Sequence, residues 1–172
     1  MIPRIKRILY TTDLSKNSAY AFRYAVNSAK NHNAKIIILY VVEIPPRVSR
    51  ALVDDYAGEE KRKELFDKRV ADTVERIKKR LHLFCDREFL EEPECTDMVE
   101  SIEVCVGYPA EEILKKAEEL DCDAIIMGTH GKGIISQTFL GSVVKRVLRR
   151  VRKPVYIIPL PEGDTDISFK EI

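Results

Sequence analysis

The amino-acid sequence lacks long apolar runs, and its charges nearly cancel. The longest apolar runs, such as residues 36–42, fall far short of the roughly 20 residues that span a bilayer, so no transmembrane helix is predicted. Lys and Arg number 29 and Asp and Glu 28, a net charge of +1, so no global field favours nucleic acid or a membrane surface. The N-terminus lacks a long apolar stretch that ends in a small-residue cleavage site. We therefore expect a cytoplasmic protein that binds neither nucleic acid nor membrane.

Metal-site patterns are missing as well. The four cysteines show no CxxC spacing and the three histidines no HExxH motif, so no metal ligands are predicted. Free thiols in a reducing compartment are the expectation, and a disulfide that involves Cys85 or Cys95 is the alternative for a hyperthermophilic source. A basic cluster near the C-terminus is interpreted as a solvated helix face rather than a nucleic-acid patch: Lys145, Arg146, Arg149, Arg150, Arg152 and Lys153.

Strand and helix patterns alternate along the chain. Five β-branched runs predict strands at residues 5–10, 35–42, 101–106, 123–128 and 154–159. The second and fourth runs are nearly continuously apolar, as in parallel strands covered on both faces, and the third alternates, which fits a strand nearer an edge. Apolar stripes predict helices within residues 19–29, 58–84, 109–120 and 143–151. This pattern predicts one doubly wound α/β domain with a parallel sheet over residues 1–160, surface loops at 43–58 and 84–97, and a polar tail at 161–172.

The connection from the fourth strand to the last helix is unusually long and rich in glycine. It spans the 12 residues 129–140, whereas such connections usually take about 2 to 6. Gly131 and Gly133 allow positive φ angles, and Gly141 and Ser142 lie where the helix begins, so backbone amides and a hydroxyl can converge on a phosphate. The alternative is that the glycines only make turns and that Ser142 only caps the helix. The spacing fits neither GxxxxGK[ST] nor GxGxxG/A.

The arrangement Gly128-x2-Gly131-x9-Gly141-Ser142 resembles the nucleotide-binding signature of the universal stress protein family, in its ATP-binding branch. The stretches "ILYTTDLSKNSAYAFRYA" and "GYPAEEILKKAEELDCDAIIMGTHG" are also similar to that family. The resemblance implies a five-stranded parallel sheet in the order 3-2-1-4-5 with helices on both faces, and a homodimer paired through the last strand, 154–159. It also implies an adenine-nucleotide site with three parts: phosphates at Gly131, Gly141, Ser142 and Val143, ribose beside Gly128, and the adenine side at Thr12, Asp13 and the backbone of Val41. His130 is added to this site as a residue that can help neutralise phosphate charge, with solvent exposure beside the loop as its alternative.

Three functions follow as hypotheses. The leading one is a regulatory stress-response module that binds ATP, with Mg²⁺ or Mn²⁺, so that occupancy alters loops and partner surfaces. The second is a slow ATPase or phosphotransferase at the same site, for which Asp13, His130 and Lys132 are the nearby candidates, although no constellation commits them to catalysis. The third is a dimeric interaction protein with a vestigial site. Asp13 has an alternative role as a cap of the first helix. The sequence departs from the family at Thr11, where proline is common.

Overall fold

A computed structural model describes residues 2–43, 59–90, 93–130 and 140–161 of the chain. The described strands are β1 (Arg7–Thr12), β2 (Lys35–Glu43), β3 (Val99–Gly107), β4 (Ala124–Gly128) and β5 (Val155–Ile158). The described α-helices are α1 (Lys16–His32), α2 (Glu59–Glu88), α3 (Pro109–Glu119) and α4 (Ser142–Leu148), and a 3₁₀ helix covers Pro93–Met98. The predictions for residues 44–58, 131–139 and 162–172 lie outside the described ranges.

The five strands form one parallel sheet in the order β3-β2-β1-β4-β5, as predicted. The most apolar strands, β2 and β4, flank β1 in the middle of the sheet, where both faces are covered. The alternating strand β3 lies at one edge, which confirms the expectation from its pattern. The sheet grows outward from β1 to β2 and β3 on one side and from β4 to β5 on the other, so its switch point lies between β1 and β4. The connections that follow these two strands lead to opposite faces of the sheet and leave room for a ligand between them.

Two apolar layers cover the sheet because alternate side chains of each strand point to opposite faces. On one face, α1 and α2 pack on Ile8, Tyr10, Ile36 and Ile38. On the other face, α3 and α4 pack on Leu9, Ile37, Leu39, Ile125 and Met127.

The helix ends follow from local chemistry. Helix α1 begins with a capping box in which the side chains of Ser15 and Ser18 satisfy each other's backbone amides, and it ends at Asn33 in the left-handed region. Helix α3 begins with Pro109 at its first turn, followed by Glu111 and Glu112, which favour the positive end of the helix dipole. Within the described residues, no helix combines the length and apolarity needed to cross a membrane.

The prediction of a surface loop at residues 84–97 is wrong. Helix α2 continues to Glu88, and the 3₁₀ helix follows after a short connection. Phe84, Cys85, Phe89 and Cys95 are buried in the layer beneath α1, where Phe84 and Phe89 pack against the ring of Phe22. These apolar side chains extend the buried stripe of α2. Asp86 between them is exposed, whereas the carboxylate of Glu88 turns toward α1 and pairs with Arg23 at 3.1 Å. All four cysteines of the chain are free thiols, so no disulfide joins Cys85 or Cys95.

Candidate functional site

A crevice of about 340 Å³ lies at the carboxyl ends of β1, β2 and β4, between the sheet and the helices α3 and α4. Its volume is within the range of about 300 to 1,000 Å³ that is usual for small-molecule sites. Gly131 lies outside the described residues, as does Lys132. The structure brings together the other eight residues of the predicted site, which all line this crevice: Thr12, Asp13, Val41, Gly128, His130, Gly141, Ser142 and Val143.

One section of the crevice is apolar. Its floor is the face of the sheet that carries Leu39 of β2 and Met127 of β4, with Thr11 of β1 between their strands. Ile113 of α3 and Val144 of α4 complete its apolar lining. A flat aromatic group could be enclosed here by aliphatic side chains.

The turn between β1 and α1 forms the second section and is held by its own hydrogen bonds. The Thr12 hydroxyl lies 2.9 Å from the Ser18 hydroxyl and accepts the Leu14 amide at 3.1 Å. These bonds hold Leu14 at a φ of 62°, a conformation that is uncommon for a residue with a side chain. The Asp13 carboxylate accepts the Ser15 amide at 3.0 Å, and the N-cap of α1 is Ser15 rather than Asp13. Asp13 thus supports the residue that caps the helix, and its carboxylate remains part of the crevice lining.

Thr129, directly after β4, joins four parts of the site. Its amide donates to the Ile158 carbonyl at 3.1 Å, and its carbonyl accepts the Gly141 amide at 2.8 Å. Its hydroxyl accepts the Asn17 side-chain amide at 2.9 Å and lies 2.9 Å from Nδ1 of His130. The Thr129 hydroxyl therefore links His130 at the crevice to Asn17 in α1.

Asn17 is a site residue that the sequence analysis missed. It lies in the first turn of α1, is 6% exposed, and packs directly against Gly128 at the end of β4. A Cβ atom at Gly128 would lie 2.9 Å from Cγ of Asn17 and would also collide with its Oδ1. The close neighbour that requires glycine at this position is therefore α1 itself. A small polar residue early in a helix gives no sign of such a long-range contact.

Gly141 and Ser142 lie where α4 begins, as predicted, but Ser142 is not its cap. Gly141 is the N-cap, with a φ of −58°, and Ser142 is the first helical residue, so Ser142 does not cap the helix. The Gly141 amide is occupied by the Thr129 carbonyl and does not point to a ligand. The amides of Ser142 and Val143 have no acceptor within the helix, as at any helix start, and both residues line the crevice.

The charges of the crevice are mostly negative. Its described lining contains the carboxylates Asp13 and Glu43 and the imidazole of His130, and no lysine or arginine. Burial raises the pKa of Tyr40 at the edge of the crevice, and the Asp13 charge raises it further, so this phenol stays neutral. Among the described residues, no group of three or more His, Cys, Asp or Glu side chains is arranged to hold a metal ion.

A larger depression of about 1,290 Å³ lies at the opposite edge of the sheet, where Lys6, Arg7 and Lys35 come together with acidic residues. Two of its cations are already engaged within the protein, since Arg7 pairs with Glu100 at 2.9 Å and the Lys35 ammonium donates to a backbone carbonyl at 2.6 Å. Ligands of open parallel sheets bind at the carboxyl ends of the strands, whereas this depression lies at their amino ends. We therefore take the smaller crevice as the candidate site.

Comparisons with known proteins agree on one family. The sequence model of the universal stress protein family matches residues 4–159. The universal stress protein MJ0531 of Methanocaldococcus jannaschii is 32% identical over 165 residues, which cover 92% of this chain and 85% of that protein. Its universal stress protein MJ0577 is 34% identical over 165 residues, covering 89% of this chain and 94% of that protein.

Solved structures give the same result for the fold. The MJ0577 structure has a TM-score of 0.64 at 27% identity and covers 94% of this chain and 100% of its own. A universal stress protein crystallised in complex with cAMP has a TM-score of 0.53 at 22% identity, with 91% of this chain and 98% of its own covered. The latter likeness shows a shared fold.

Proposed function

The chain belongs to the universal stress protein family, and from this we propose that it is a regulatory stress-response module that binds an adenine nucleotide, with ATP as the ligand. The observation that supports this most is the meeting of eight predicted residues in one crevice at the carboxyl edge of the sheet. Occupancy of the crevice would alter its loops and the surface offered to a partner. A cytoplasmic location stays a prediction from the sequence.

The two ends of the crevice suit the two ends of a nucleotide. The base would lie in the apolar section between Leu39, Ile113 and Val144. The phosphates would lie toward His130, Ser142 and Val143, where side-chain and backbone donors meet. One protein of this fold was crystallised in complex with cAMP, which indicates that the architecture accommodates an adenine nucleotide.

A divalent cation is expected to assist the binding of ATP. The carboxylates of Asp13 and Glu43 would repel a polyphosphate, and neither lysine nor arginine offsets them in the described lining. Mg²⁺ usually binds through one or two carboxylates together with substrate phosphates, and Asp13 and Glu43 are the carboxylates that the described lining offers. Bound Mg²⁺ or Mn²⁺ would neutralise phosphate charge.

The first experiment identifies the ligand. The purified protein is denatured and any released nucleotide is identified by mass spectrometry, and ATP binding is then measured by isothermal titration with and without Mg²⁺. We expect Ser142→Tyr to abolish binding, because the larger side chain fills the phosphate end. The matched variant Lys145→Tyr, one turn further along α4 and outside the crevice lining, should bind normally. Absence of ATP affinity in the folded protein would refute the proposal.

Turnover is followed in the same samples by the release of ADP. Binding without hydrolysis supports a regulatory module. Steady hydrolysis that is lost in Asp13→Ala would instead make the protein an ATPase.

We further propose that the protein is a homodimer paired through β5. This strand forms the edge of the sheet, its outer neighbour position is open within the described residues, and Tyr156 is 41% exposed on it. Pairing with the β5 strand of a second copy would cover an edge that otherwise invites uncontrolled association. Light scattering should give twice the chain mass, and a monomer across the micromolar range would contradict this proposal.

A further inference from the structure

One buried polar side chain among the described residues makes no hydrogen bond within the protein and borders the crevice. The described residues include four buried polar side chains: Thr11, Thr12, Asn17 and Ser18. The last three are held by side-chain hydrogen bonds within the turn at the start of α1 or to Thr129. Thr11 is 7% exposed and makes no side-chain hydrogen bond to any part of the chain that the structure describes.

The Thr11 side chain points into the crevice. It shares a face of the sheet with Leu9 and pairs in register with Leu39, and both of these leucines pack in the layer beneath α3 and α4. Thr11 also lines the crevice directly. Its hydroxyl is thus a polar group in the apolar floor, and only the interior of the crevice can supply its partner.

Strand formation does not explain a threonine at this position. Valine or isoleucine has the same branched shape, equal or better strand preference and no hydroxyl to desolvate. The neighbouring strand positions that face the two apolar layers are filled by such residues, for example Ile8, Ile37 and Ile125. Although the Thr11 residue is more than nine-tenths buried, its hydroxyl oxygen is still accessible from the crevice, so a ligand there can form the hydrogen bond that the described chain does not supply.

We propose that Thr11 is a specificity-determining residue whose hydroxyl forms a hydrogen bond with a polar edge of the bound base. This inference rests on the proposed nucleotide function and adds to it the contact that recognises the base. The base is the part of the nucleotide that belongs over Thr11, because Thr11 lies in the apolar floor between Leu39 and Met127, which suits a flat aromatic group better than charged phosphates.

The test compares the wild type with Thr11→Val, which keeps the shape and removes the hydroxyl, and with Thr11→Ser, which keeps the hydroxyl. Affinity is measured by isothermal titration for ATP and for four triphosphates that each lack one polar base atom: the 1-deaza, 3-deaza and 7-deaza analogues and purine riboside triphosphate. We expect Thr11→Val to weaken ATP binding about three- to tenfold, the size of one neutral hydrogen bond, and Thr11→Ser to stay within about twofold of the wild type. One analogue should bind the wild type and Thr11→Val equally, and it identifies the contacted atom.

A second readout needs no ligand. Because the hydroxyl has no partner in the described chain, apo Thr11→Val should melt at the same temperature as the wild type or higher. A clearly lower melting temperature would mean that the hydroxyl bonds within the protein, which overturns the inference. Equal ATP affinity of Thr11→Val and the wild type would also overturn the inference. An equal loss of affinity for all five nucleotides would overturn it too, because the hydroxyl would then contact a part of the nucleotide other than the base. In these three outcomes the wild type still binds ATP, whereas a wild type that fails to bind refutes the proposed function itself.

Discussion

Replacing Gly128 with alanine tests whether this glycine is required by the fold or by a ligand. The added methyl group would meet Cγ of Asn17 at 2.9 Å and the Asn17 backbone carbon at 3.3 Å. Crowding of this kind costs about 1–3 kcal/mol in a packed interior. Alanine also lowers the conformational entropy of the unfolded chain, which stabilises the folded state by about 0.4–1 kcal/mol. We therefore expect Gly128→Ala to lower the free energy of unfolding by about 1–2 kcal/mol.

The Asn17→Ala variant separates the two explanations. On its own it loses the hydrogen bond to Thr129, at a cost of about 0.5–1.5 kcal/mol, and it also removes Oδ1, a buried oxygen without a hydrogen-bond partner in the described structure. In this background the atoms that collide with the new methyl group are gone, apart from the backbone carbon. Gly128→Ala should then be nearly neutral, so the double variant should be about 1–2 kcal/mol more stable than the sum of the single effects predicts.

The assay is equilibrium unfolding in urea, followed by circular dichroism at one protein concentration, because a dimer would make stability concentration-dependent. Effects that add within about 0.5 kcal/mol would refute the reasoning, since independent sites behave in this way. ATP affinity is measured on the same four proteins. If the Gly128→Ala/Asn17→Ala protein is as stable as Asn17→Ala but does not bind ATP while Asn17→Ala does, then the ligand also needs the space that glycine leaves at position 128.

Three further predictions concern stability and thiol chemistry. Thr129→Val leaves the Asn17 side-chain amide buried without its acceptor and should cost about 1–3 kcal/mol in urea unfolding, whereas Thr129→Ser keeps the hydroxyl and should lose much less. Asp123→Ala removes a carboxylate that accepts the backbone amides at positions 6 and 7 at 2.7 and 3.0 Å; we expect a loss of about 1–3 kcal/mol, and a change below about 0.3 would contradict it. In the native protein a disulfide reagent at pH 8 should modify Cys105 first, because it is only half-buried, while Cys85, whose pKa burial raises to about 12, should react only after denaturation.

The sheet could be predicted from the sequence because its signals are local. Each strand is a short β-branched run, and the nearly continuous apolar runs of β2 and β4 indicate strands that are covered on both faces. The order of the strands needed more than periodicity and came from the resemblance to a family. The wrong prediction at residues 84–97 arose because acidic residues were given more weight than spacing. From Leu81 through Phe84 and Cys85 to Phe89 the helical period continues, and Asp86 and Glu88 do not interrupt it.

The contacts within the site were less accessible to sequence reasoning. The resemblance named residues that do meet in one crevice, but it gave no partner for any of them. Thr129 and Asn17 are separated by 112 positions, and their hydrogen bond depends on how α1 lies against β4. No propensity or spacing rule carries that information. Thr11 is a departure from the family that the sequence shows, but only the structure shows that its side chain lines the crevice and that its hydroxyl bonds to no other described residue.

Two glycines of the signature have contacts within the fold, so their structural role and their proposed role in nucleotide binding must be measured separately. Gly128 is required by the side chain of Asn17, and the amide of Gly141 is bonded to Thr129, so both glycines have structural roles that operate without any nucleotide. A loss of ATP binding after substituting either of them would follow from a displaced α1 or α4 as readily as from a blocked phosphate. Ser142 and Thr11 are better probes of binding. Ser142 is exposed at the helix start, and the Thr11 side chain has no hydrogen-bond partner among the described residues. Substituting either residue should therefore lower ATP affinity more than it lowers the free energy of unfolding.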